Sequence, residues 1–125
     1  MTQSFQKANA QMPPRLFTDL PTNETIKFLS ATSNVDSITG TMHIVGELAN
    51  RGQEQAKFVK ITASLYNPNN QLVATDYTYT DPLTIIPGMS APFDLMILRD
   101  VFQQNLITSV KLHVAWDDSK HGGFG

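Results

Sequence analysis

Three histidines, His43, His113 and His121, and five methionines that include Met42, Met89 and Met96 are the side chains of this chain best suited to hold a soft metal ion. Imidazole with thioether fits copper, and imidazole alone fits zinc. A blue-copper centre also needs a thiolate, and the chain has no cysteine, so that chemistry is excluded and only a copper or zinc site of surface His and Met residues stays open. His43 and His113 both fall on the outward parity of β-type segments and could meet if those segments were neighbours. Two separate surface histidines are the commoner outcome, so no metal and no other cofactor is expected.

Hydrolytic chemistry has less to build on. Serines and aspartates are plentiful, yet no nucleophile elbow places a serine in a catalytic context. Asp94 and Asp117-Asp118 offer carboxylates, but general acid work needs a buried carboxyl and acids at strand ends are solvated. Neither a phosphate-cradling glycine loop nor a dinucleotide fingerprint occurs. The expectation is a chain that is not an enzyme. Asn23-Glu24-Thr25 matches the glycosylation acceptor pattern, which is too short to carry weight.

Tyr66, Tyr77 and Tyr79 point to recognition instead. Tyrosine brings a large, stiff, amphipathic surface with one hydrogen-bonding tip, which favours it at contact surfaces. Tyr77 and Tyr79 share a parity on the run LVATDYTYT, whose central Asp76 suits an edge strand. Facing out, they form an interaction surface with Tyr66. The competing reading turns Val73, Thr75, Tyr77 and Tyr79 inward as that strand's core face. Trp116 and Phe93 read as core.

The elements that must position these residues are strands. At 125 residues, 41% hydrophobic and 16% charged, the chain suits one β-rich domain with a single core. Its net charge of −2, without a run of like charges, argues against a nucleic-acid partner, because phosphate binding needs a concentrated basic surface. No apolar run approaches the ~20 residues of a membrane span, and no leader-like segment opens the chain, so direct membrane insertion is not expected.

Residues 1–22 carry three prolines and no sustained period and read as a flexible arm, in which Phe17 and Leu20 could dock. Residues 23–118 read as the domain, and 119–125 as a polar tail. Period-two runs span 26–33, 42–50, 58–66, 72–80, 93–98 and 107–116. In the second, Met42, Ile44, Gly46 and Leu48 share a face; in the third, Val59, Ile61, Ala63 and Leu65 point inward. Asn67-Pro68-Asn69-Asn70 supplies a hairpin turn and Pro87-Gly88 a type II turn. The break at 100–105 has room for one helical turn, and the arm or the loop at 83–86 could add a seventh strand.

Six to seven short strands with regular turn signals predict an all-β, antiparallel sandwich of immunoglobulin or fibronectin type, with a small closed barrel as the alternative.

The segments IVGELANRG (44–52), ASLYN (63–67) and IIPGMSAPF (85–93) stand in the order of three motifs of the FxLYD-type domains, a prokaryotic immunoglobulin-like accessory module, which this chain resembles. Ala63 replaces the family's Phe, and Asn67 its Asp, a substitution that keeps the turn. The resemblance implies an extracytoplasmic or cell-envelope setting and no active site. The functional expectation is a non-catalytic accessory or protein-interaction module, attached to the envelope or to other domains, that meets a protein partner or its own copy through an edge strand. The alternative is a small-ligand or copper/zinc-binding protein that uses surface His and Met residues.

Overall fold

A computed structural model describes residues 15–16 and 25–118. Most of the expected arm with Phe17 and Leu20, Asn23 and Glu24, and the tail with His121 lie outside the described residues. The elements in chain order are β1 (Arg15–Leu16), β2 (Ile26–Val35), β3 (Met42–Asn50), β4 (Ala56–Tyr66), β5 (Leu72–Tyr79), β6 (Ser90–Ile97), helix α1 (Arg99–Gln104) and β7 (Ser109–Asp118).

Side-chain alternation produces these strands. In β4, Val59, Ile61, Ala63 and Leu65 are fully buried, while Lys60, Thr62, Ser64 and Tyr66 between them stay half-exposed. β6 alternates as regularly, with Ala91, Phe93, Leu95 and Ile97 buried. The strands form two separate sheets, β1-β7-β4-β5 and β2-β3-β6. All pairings are antiparallel except the short parallel one of β1 with the start of β7. The chain is therefore all-β, with two open sheets in place of a closed barrel. Their inward residues, Ile44, Leu48, Phe93 and Leu95 from one and Ile61, Leu65, Leu112 and Trp116 from the other, join a single apolar core. Burying each large aliphatic side chain contributes about 2 kcal/mol.

The turns follow their residues. Pro87-Gly88 closes with Met89 N–H donating to the Ile86 carbonyl at 3.1 Å, and Gly88 has φ +83°, the geometry of a type II turn. At the β4–β5 hairpin the Asn67 carboxamide oxygen accepts from the Asn69 and Gln71 N–H groups, and Asn70 takes φ +61°. Buried Asn50 joins the loops at one end: its Nδ2 donates to the carbonyls of Glu54 and Ile85, both at 2.8 Å, and its Oδ1 accepts from Gly52 N–H. The six-residue α1 fills the expected helical turn and packs Val101 and Phe102 against the core.

Several boundaries differ from the sequence reading. β2 runs on to Val35, β4 begins at Ala56, β6 begins at Ser90, and β7 covers Ser109–Asp118. The loop at 83–86 contributes one isolated bridge, Ile85 to Ala56, and two residues of the expected arm form β1.

Candidate functional site

Strand register decides which polar side chains share a surface. On the outer face of the β7-β4-β5 sheet, successive rows hold Ala115, Lys60 and Tyr79; then His113, Thr62 and Tyr77; then Lys111, Ser64 and Thr75. Tyr66, half-buried, stands in the next row beside Ser109 and Leu72. All three expected interaction residues thus lie on one face.

The inward reading of β5 is overturned by a bulge. Leu65 pairs with Ala74 while Tyr66 pairs with Leu72, so Val73 is an extra residue on β5. One extra residue inverts the parity of everything after it. Ala74, Asp76 and Thr78 turn inward, opposite Leu65, Ala63 and Ile61, and Thr75, Tyr77 and Tyr79 turn out. Tyr77 and Tyr79 are 56% and 38% exposed and meet edge-to-face, with ring centroids 5.9 Å apart and planes at 85°, a preferred aromatic geometry.

Two lysines lie on these rings. Lys60 Nζ sits 4.3 Å from the Tyr77 centroid, and Lys111 Nζ 5.2 Å from that of Tyr66, both within cation–π range. Sequence parity places Lys60 on the outward side, but the diagonal pairing depends on cross-strand register. Sequence reasoning also missed Phe58. A second bulge, between Lys57 and Lys60, breaks the β4–β7 register and holds Phe58 at φ +51°, 48% exposed. A left-handed aromatic residue stores backbone strain, and such strain gathers at functional positions.

β5 is the sheet's edge, as its central acid suggested. Thr80 N–H donates to the Val59 carbonyl, which fixes the hydrogen-bonding phase and leaves the Tyr77 N–H pointing outward from the edge. The Asp76 carboxylate takes that N–H at 2.8 Å. One open donor of the edge is thereby capped from within the strand.

The metal-candidate residues are dispersed. His43 lies on β3 and His113 on β7, in different sheets, so the two do not meet as neighbours. His43 stands opposite Met96 on β6, and its Nδ1 hydrogen-bonds Asp94 Oδ1 at 2.9 Å. Met42 is in the core, and Met89 is exposed in the turn before β6. Among the described residues no three His, Cys, Asp or Glu side chains gather as a metal site. Of the carboxylates weighed for acid–base work, Asp94 is engaged by His43, and Asp117, at the far end of β7 across from Lys57, departs from the solvated strand-end acid expected: its Oδ1 is buried without a hydrogen-bond partner among the described residues. No described helix is long and apolar enough to cross a membrane. No protein-family model, curated protein or solved structure matches this chain at a significant level.

Proposed function

We propose that the chain is a non-catalytic interaction module, an immunoglobulin-like sandwich of FxLYD type that works attached to the cell envelope or to other domains. The outer face of β7-β4-β5 is its docking surface. The sheet orders β2-β3-β6 and β7-β4-β5, with crossings between sheets after β3, β5 and β6, support the immunoglobulin-like reading. The three motif segments also have structural reasons: Asn50 ties loops together, Asn67 closes the hairpin, and Pro87-Gly88 turns the chain into β6.

One observation carries the docking reading. The β5 bulge turns two tyrosines out of the core and onto the outer face, where much of their aromatic area stays exposed, and exposed aromatic groups of this kind anchor interfaces. Because Asp76 occupies an edge donor, the side-chain face is favoured over strand addition at β5. Capture from the source organism's extract, with wild type and the Tyr77→Ala/Tyr79→Ala double variant, tests it. A specific protein captured by wild type and lost with the variant is expected. A domain that captures nothing, or captures equally well without the two rings, overturns the reading.

A further inference from the structure

The tyrosine-bearing face holds cations that it does not neutralise. From the row of Lys60 to that of Tyr66, its outward positions on β7, β4 and β5 carry Lys60, Lys111 and His113 among uncharged side chains, without a carboxylate. Asp76 has the opposite parity, and Asp117 lies beyond the β4 bulge, across from Lys57. The ion pair of His43 with Asp94 belongs to the other sheet. A lysine resting on an aromatic ring is held in place by the ring while its ammonium keeps N–H donors for an anion.

The spacing of these cations suits an extended chain. Lys60 and Lys111 occupy rows four residues apart along β4, on the order of 14 Å at the rise of a strand. In an extended peptide, side chains four positions apart lie on one side and span the same distance. Thr62, in the row between them, and Ser64, beside Lys111, are small. The perpendicular rings of Tyr77 and Tyr79 offer no coplanar platform for successive sugar rings or bases, so a protein segment fits better than a glycan or a nucleic acid.

Resting on the docking reading above, we propose that this face takes an extended acidic segment of a partner protein. Its carboxylates meet Lys60 and Lys111, and the methylene stems of the same acidic side chains lie against Tyr77 and Tyr79. The probe is a fluorescent ten-residue peptide of alternating Glu and Thr, followed by anisotropy with the full chain. A Gln-Thr peptide serves as neutral control and an oligouronate as rival anion. The Glu-Thr peptide is expected to bind at least ten-fold more tightly than the Gln-Thr peptide, to weaken as salt is raised, and to lose at least ten-fold in affinity for the Lys60→Gln/Lys111→Gln variant, with thermal melting confirming that the variant is folded. Absence of Glu-Thr binding, binding indifferent to the lysine substitutions, or tighter binding of the oligouronate overturns the proposal. Capture of a cellular partner that survives the lysine substitutions but not Tyr77→Ala/Tyr79→Ala sinks the acidic-segment inference and leaves the docking face standing. Capture indifferent to both variants sinks both.

Discussion

The two outer faces handle polar groups in opposite ways. On the β2-β3-β6 face acids stand among the cations: His43 bonds Asp94 at 2.9 Å, Glu47 accepts from the Ser90 hydroxyl at 2.9 Å, and exposed Lys27 lies one outward row from Glu47. Just beyond it, in the β2–β3 loop, Asp36 accepts from two backbone N–H groups. On the β7-β4-β5 face the cations rest on rings and have no acid beside them from the row of Lys60 to that of Tyr66. A face that carries its own acids offers a partner little net charge, and one with cations alone beside exposed aromatic area has both steering charge and anchors. Exposure alone does not separate the faces, since Met96 is as open as Tyr77.

The largest effect should come from disturbing the wall between the β2-β3-β6 face and the core. Gly46 on β3 has no side chain because there is no room: a Cβ there would collide with the Ser30 carbonyl oxygen and lie 2.8 Å from Phe93 Cζ. Phe93 in turn meets Phe28 edge-to-face at 6.0 Å. Gly46→Ala forces a backbone to move and should destabilise the domain by about 3 kcal/mol, read by urea denaturation. A change below about 0.5 kcal/mol would mean that β2 yields freely and that this sheet is not the rigid one.

A smaller effect compares the two guarded edges that adjoin where the chain passes from β5 to β6. On β6, Pro92 has no N–H, and its carbonyl accepts from Asp81 at 3.1 Å. On β5 the guard is the Asp76 carboxylate on the Tyr77 N–H. Inward charges and prolines are two ways of blunting a sheet edge. Asp76→Thr should raise the light-scattering mass with concentration more steeply than in wild type, while stability shifts by less than about 1 kcal/mol. Identical mass profiles would show that β5 is kept apart by something other than its acid.

What the chain reveals before folding follows from how local the cause is. The alternation of Val59, Ile61, Ala63 and Leu65 is readable because period two is a property of one strand. The turns at Asn67–Asn70 and Pro87-Gly88 are readable because those residues accept the required dihedral angles. The outward turn of Tyr77 is not, because it hangs on a bulge at Val73 that appears only when β5 is paired with β4. Phe58 is hidden for the same reason, displaced by a register break against β7. The separation of His43 from His113 is a fact of sheet membership, which parity within a strand cannot supply. The candidate face is therefore legible in its residue types and illegible in its assembly.

The smallest effect asks whether the acids beside the β2-β3-β6 face are held by backbone or by side chains. Asp36 Oδ1 accepts from Ile38 N–H at 2.7 Å and Thr39 N–H at 3.1 Å, which holds its carboxyl below the ordinary value of 3.8; His43 adds only a lesser pull. A carboxyl depressed in the folded state stabilises the fold above its unfolded value and loses that contribution as pH falls through the folded one. The stability difference between wild type and Asp36→Ala should therefore be level from neutral pH to about pH 5 and shrink below 3.8. Urea titrations across that range measure it. His43→Gln should leave most of this dependence intact, because the N–H groups dominate. If the histidine substitution removed it instead, long-range charge rather than local hydrogen bonding would be what quiets this side of the molecule, and the contrast with the lysine-bearing face would have to be redrawn in those terms.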